Sequence, residues 1–133
     1  INTASLAGLI NSPLLGPYNV TKQAVVAISE TLHYELAMLD APIIVSVLCP
    51  GPVASSIMES NSRIGDVDAR LDTLLGSRVR KGMRPLQLAQ QVFAAIDEQR
   101  FWIFPHKFFK PALQRRLQSI LDETNPVLQI AQE

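Results

Sequence analysis

The run IIVSVLC, residues 43–49, constrains this chain more than any other stretch. It is apolar except for Ser46, starts with β-branched residues, and is closed off by Pro42 before it and Pro50-Gly51 after it. It lacks the alternation of a half-exposed strand, and it is too short for an ordinary helix. A strand buried on both faces, as in a parallel sheet covered by helices, is the reading that fits.

The neighbouring stretches supply the covering helices. INTAS, residues 1–5, reads as the tail of a strand, and LAGLINSPLLGP as a loop rich in Gly, Pro, Asn and Ser. A helical period runs from about Tyr18 to Met38, with Val25, Ile28, Leu32, Leu36 and Leu39 as its expected inner face. Residues 53–82 carry no strong period, and a connection of that length is expected to be functional, a lid with Met58, Ile64, Leu71, Leu74 and Leu75 among small polar residues. Arg84-Pro85 opens a second helix, since Pro suits the first helical position. Its expected buried face is Leu88, Val92 and Ile96, with Ala89 and Phe93 beside them. RFWIF, residues 100–104, reads as another strand. A last amphipathic helix is expected from Phe108 to Leu121, with Leu113, Leu117, Ile120 and Leu121 inward and Arg115 and Arg116 outward.

Strand alternating with helix is the pattern of an α/β fold with a parallel sheet. The 133 residues suit one domain. A sheet buried on both faces needs more strands than the two or three offered, and the chain starts at Ile1 on a strand tail, so a fragment is the expectation.

Charge narrows the partners. Acids and bases balance at 12 each, which argues against a nucleic-acid surface or an acidic tail. Cys49 is the only cysteine, so no intrachain disulfide forms and paired Cys and His metal patterns cannot be built; no metal site is expected. A reducing, cytoplasmic setting fits best. The longest apolar stretch falls far short of the roughly 20 residues of a membrane span, and the start of the chain does not read as a secretory signal.

The chemistry is concentrated in YNVTK, residues 18–22. Tyr18 and Lys22 stand four apart, which on a helix places both side chains on one face with their Cβ atoms about 6 Å apart. Ser5 stands at the exit of the first strand, and Pro50-Gly51 closes the next. In an open α/β sheet the binding crevice lies outside the carboxyl ends of the strands, so these residues and the start of the Tyr18 helix face one place. A free phenol holds its proton up to about pH 10, and a fixed ammonium beside it favours the phenolate. A phenol so placed can give a proton to an oxygen on which charge grows, with a serine hydroxyl holding that oxygen in line.

Each residue also has a plainer reading. Tyr18 could be packed aromatic surface, Ser5 a turn-former, and Lys22 a solvated charge. Convergence on one crevice favours chemistry for all three. Cys49 reads as a small core residue, and His33 and His106 as structural or exposed. Arg78, Arg80, Lys81 and Arg84 read as a solvated basic loop.

NTASLAG, PYNVTK and VLCPGPVASS together resemble the short-chain dehydrogenase/reductase family, and the likeness extends over the whole chain. It implies a Rossmann-like doubly wound parallel sheet of which residues 1–133 form the carboxyl-terminal, catalytic half, with the lid at about 53–82. It also implies NAD or NADP as cofactor, with Ser5, Tyr18 and Lys22 catalytic and Lys22 on the nicotinamide ribose hydroxyls. By the same resemblance Pro50, Gly51 and Val53 line the nicotinamide, and Ser55 stands where the family usually has Thr. The glycine-rich phosphate turn and the family's catalytic Asn have no counterpart here, so the chain alone is not expected to bind a dinucleotide tightly.

The expected function is NAD(P)-dependent interconversion of a small-molecule alcohol and carbonyl, with an apolar lid suggesting a lipophilic substrate. A homodimer or homotetramer follows from the resemblance, with no nucleic acid and no membrane as partner. The alternative is a dinucleotide-binding sensor or scaffold without turnover. The extended branch that acts on nucleotide sugars is disfavoured by the short tail.

Overall fold

The computed structural model describes residues 1–56 and 75–128. Within them the order is β1 (Asn2–Thr3), a 3-10 turn (Leu6–Gly8), α1 (Gly16–Met38), β2 (Val47–Leu48), α2 (Ser77–Arg80), α3 (Pro85–Asp97), β3 (Trp102–Ile103) and α4 (Lys110–Leu121). The three strands form one parallel sheet in the order β1-β2-β3. In register, Asn2 faces Val47 and Val47 faces Trp102. The ladder continues past the short strands: Asn2 N–H donates to Ser46 O at 2.9 Å, Ala4 N–H to Leu48 O at 2.8 Å, Val47 N–H to Phe101 O at 2.8 Å and Cys49 N–H to Ile103 O at 3.0 Å.

β2 is central, and the apolar run around it is buried from Val45 to Cys49, but Ile43 and Ile44, expected to be buried with it, precede the strand and are exposed. Successive side chains leave a strand on opposite faces. Val47 and Cys49 join Ala4 and Val26 in a core beneath α1, whereas Leu48 joins Ile103 and Ala95 beneath α3. The sheet therefore lies between two helices. Ile103 is 2 % exposed within that second core. Shortening it in Ile103→Val is expected to cost about 0.5–1.5 kcal/mol, read as a lower urea midpoint with an unchanged slope.

The helices begin and end by local rules. Pro stands at the first or second position of α1, α3 and α4, where its missing N–H costs nothing. Each ends on a residue in the left-handed region, Asp40 at φ 48°, Gln99 at φ 54° and Glu123 at φ 53°. The next N–H then reaches back five residues: Ala41 to Leu36 O at 3.0 Å, Arg100 to Ala95 O at 2.9 Å and Thr124 to Ser119 O at 2.9 Å.

The helix faces differ from the sequence expectation. In α1 the buried positions are Asn19, Val26 and Ser29, while Ile28 is 63 % exposed and Leu32 and Leu39 also face outward. The reason is close approach: a Cβ on Gly8 would lie 2.7 Å from the Lys22 carbonyl oxygen and 2.9 Å from Val26 Cγ2. That contact turns the Val26 side of the helix inward, and on the same side Asn2 Nδ2 donates to Ser29 Oγ at 3.0 Å. In α3 the face is Leu88, Val92 and Ala95, with Phe93 outside and Ile96 at the margin. In α4 none of the residues is buried, and Leu117, Ile120 and Leu121 are exposed. The helix is instead tied at its start by Phe109, which is buried and meets Phe104 edge-on.

Residues 57–74, most of the expected lid, lie outside the described residues. Its two ends meet: Val53 and Met83 form a parallel bridge, with Met83 N–H donating to Pro52 O and Ala54 N–H to Met83 O, both at 3.0 Å. Gly82 packs so closely there that a Cβ would stand 2.7 Å from Pro52 O. Among the described residues no helix is long and apolar enough to cross a membrane.

Candidate active site

Because all three strands run the same way, their exits lie along one edge of the sheet. Ser5 leaves β1 extended, at φ −170°, and its Oγ accepts the Ala7 N–H at 3.2 Å, capping the 3-10 turn. That turn packs against α1 through Gly8, which ties Ser5 to the helix carrying Tyr18.

Tyr18 sits in the first turn of α1 and is 37 % exposed. Lys22 lies one turn further on. Its Nζ donates to the Thr3 carbonyl at 3.1 Å, so the ammonium is drawn over the end of β1. The same Nζ stands 5.7 Å from the centroid of the Tyr18 ring. Phenol and cation therefore share the face that their spacing predicts. A salt-free anchor of this kind fixes the position of the charge without neutralising it.

The loop before α1 is stapled to this helix. Buried Asn19 donates from Nδ2 to Ser12 O at 2.9 Å, and Gln23 Nε2 donates to Asn11 Oδ1. Asn19 escaped the sequence analysis because a polar residue beside Tyr18 reads as solvent-facing. Its signal was its place one turn before Gln23, beside a loop whose backbone carbonyls need donors.

Pro50 and Gly51 follow β2 and are half-buried. Leu6 N–H donates to Pro50 O at 3.0 Å, joining the exits of β1 and β2. Gly51 N–H donates to His106 Nδ1 at 3.1 Å, joining β2 to the exit of β3. Val53 is half-buried at its bridge to Met83, and Ser55 is exposed further out. Cys49 is fully buried under this loop, and burial pushes its thiol up to about 11, with the Ser5 backbone pulling the other way. It is a neutral core residue and not a nucleophile.

His106 was read from sequence as structural or exposed. The structure sets it half-buried against the Pro50-Gly51 loop. Burial pushes its pKa down, offset in part by the Pro52 backbone, and the neutral ring offers Nδ1 as an acceptor. The topological argument that marked Ser5 and Pro50-Gly51 applies equally to the residues after RFWIF; extending it to the third strand finds His106.

Ser5, Lys22, Pro50 and Gly51 thus line one edge, with Tyr18 beside Lys22, Val53 a step beyond and Ser55 on the outside. A cation, a phenol, a serine hydroxyl and ordered backbone groups along one sheet edge are groups that suit proton transfer to a substrate oxygen.

Comparison with known proteins gives the same direction. The family described as short chain dehydrogenase matches residues 1–64. A crystal structure of a short chain dehydrogenase/reductase from Burkholderia phymatum in complex with NAD superimposes with a TM-score of 0.88 at 30 % identity, covering 98 % of this chain and 50 % of that one. The CLA biosynthesis dehydrogenase/reductase of Lactiplantibacillus plantarum is 28 % identical over 98 % of this chain and 50 % of its own length. An NADPH-dependent 3-dehydrocapnine reductase of Ornithobacterium rhinotracheale is 26 % identical over 92 % of this chain and 48 % of its own. The chain spans about half the length of these curated relatives.

Proposed function

We propose that the chain, which is similar over nearly its whole length to short-chain dehydrogenases/reductases, forms the catalytic side of an NAD- or NADP-dependent oxidoreductase interconverting an alcohol and a carbonyl. The observation that carries the reading is the Lys22 ammonium, anchored on Thr3 O and 5.7 Å from the Tyr18 ring, at the strand edge that also holds Ser5 and Gly51.

The residues present fit the nicotinamide end of such a cofactor. Lys22 has three N–H donors and spends one on Thr3 O, which leaves two for ribose hydroxyls. Gly51 is confined by Leu6 and His106, so backbone and not side chain faces the crevice there. Pro50, Gly51, Val53 and Ser55 would flank the nicotinamide, and Tyr18 and Lys22 its ribose. The bound nicotinamide supplies or takes up the hydride.

The protein's own residues handle the proton. Tyr18 gives its proton to the substrate oxygen in reduction and takes one from the alcohol in oxidation. Ser5 Oγ accepts from Ala7 with a lone pair and keeps its hydrogen to donate to the substrate oxygen.

The outward apolar side of α1, where Ala27, Ile28, Thr31, Leu32 and Glu35 line a shallow groove, supports a homodimer or homotetramer. The single reduced cysteine is consistent with a cytoplasmic setting. The apolar residues between 53 and 82 favour a lipophilic substrate. The test follows the absorbance of reduced nicotinamide in the full-length protein against a panel of ketones and alcohols. Oxidation with at least one carbonyl is expected; tight dinucleotide binding without turnover on the whole panel would establish the sensor reading instead.

A further inference from the structure

The peptide unit between Pro50 and Gly51 is held at both ends by the neighbouring strand exits. Its carbonyl accepts the Leu6 N–H at 3.0 Å, and its N–H donates to His106 Nδ1 at 3.1 Å. The His106 ring also closes on Gly51 from the side: a Cβ on that residue would stand 3.1 Å from His106 Cγ and 3.2 Å from Leu6 Cδ1. The histidine is itself braced, with Pro105 buried before it and the Phe108 ring edge-on at 5.7 Å.

We propose that His106 is a positioning residue which, through its hydrogen bond to Gly51, fixes the orientation of the Pro50–Gly51 peptide and so sets the wall against which the nicotinamide lies. The inference rests on the oxidoreductase reading above for what lies against the wall, but not for the hydrogen bond itself.

The physical argument concerns what the peptide does without its acceptor. Gly is the residue least able to hold a backbone conformation by its own sterics, so the loop needs an external constraint at this point. Leu6 restrains the carbonyl alone, and a peptide held at one end is free to rock about that bond. An N–H left unpaired in a half-buried crevice has reason to rotate toward another acceptor. Acceptance at Nδ1 also places the ring proton on Nε2, so the bond requires one tautomer of the neutral imidazole.

The consequence is selective. Displacing this wall weakens contact with the nicotinamide and leaves the adenosine end of a dinucleotide untouched. His106→Leu keeps comparable bulk and removes the acceptor. His106→Asn keeps an acceptor near the position of Nδ1. In the full-length protein, His106→Leu is expected to raise the Kd for NAD or NADP about 3- to 10-fold, the size of one lost hydrogen bond, and leave the Kd for the matching ADP-ribose ligand unchanged. His106→Asn is expected to restore most of the difference. A tautomer-sensitive nitrogen NMR spectrum of the unliganded wild type is expected to show the proton of His106 on Nε2.

Equal weakening of both ligands by His106→Leu would mean a general structural role and overturn the proposal, as would unchanged binding of both or a proton found on Nδ1. A wild type that binds neither ligand would overturn the oxidoreductase reading instead, and is told apart by failing before any substitution is made.

Discussion

Replacing Tyr18 with Phe is expected to lower turnover of the full-length protein about 100- to 10,000-fold while dinucleotide affinity stays within about twofold. The substitution removes one oxygen and nothing else that the fold uses. The ring remains 5.7 Å from Lys22 Nζ, and Lys22 keeps its bond to Thr3 O, so the cation that would hold the ribose does not move. What is lost is the proton donor to an oxygen that gains charge in the transition state, an interaction that acts on kcat and not on ground-state binding. The check is steady-state kinetics beside a fluorescence titration of reduced cofactor. Turnover within a few-fold of wild type would remove Tyr18 from the reaction.

Gly8→Ala is expected to destabilise the fold by about 1–3 kcal/mol, a large effect for one methyl group. The new carbon would stand 2.7 Å from the Lys22 carbonyl oxygen and 2.9 Å from Val26 Cγ2. The first of these is backbone inside a long helix and cannot yield, so the turn after Ser5 must lift away from α1. Ser5 and Lys22 then separate, and activity falls with stability. Gly16→Ala supplies the comparison: nothing lies within 4 Å of a Cβ there, at the start of α1, and the change is expected to be neutral or to stabilise by a few tenths of a kcal/mol. Urea denaturation of both variants distinguishes close packing at Gly8 from a general intolerance of alanine for glycine.

The parallel sheet and its flanking helices were legible because one signal, an apolar run too short for a helix, permits few surroundings. The helices expected from about Tyr18 and from Arg84-Pro85 begin at Gly16 and Pro85, and the strand expected over 43–49 lies at Val47–Leu48, with Ile43 and Ile44 exposed before it. The buried faces were less legible. Periodicity selected the largest apolar residues of α1, yet Ile28 faces out and Ser29 is fully buried. Periodicity reports how apolar a face is and carries nothing on how near the neighbouring backbone comes, and here nearness decides. The same limit hid Asn19, whose worth lies in reaching Ser12 O across a loop. Ser5, Lys22 and Pro50-Gly51 could be placed at one edge from topology alone. His106 required the same topology carried one strand further, together with a contact between residues 55 positions apart that no spacing rule expresses.

The neck at Pro52–Ala54 and Gly82–Met83 brings the chain back to where it departed. Residues between the two sides leave and rejoin the scaffold at a single point, and lengthening such an excursion costs only about 0.6 kcal/mol per doubling. An insertion there is expected to leave Gly51 and α3 in place, because the clasp is closed by its own backbone hydrogen bonds. Changes of length between residues 55 and 81 are therefore expected to be borne at this clasp, with little strain passed to the sheet edge that carries Ser5, Lys22 and Gly51.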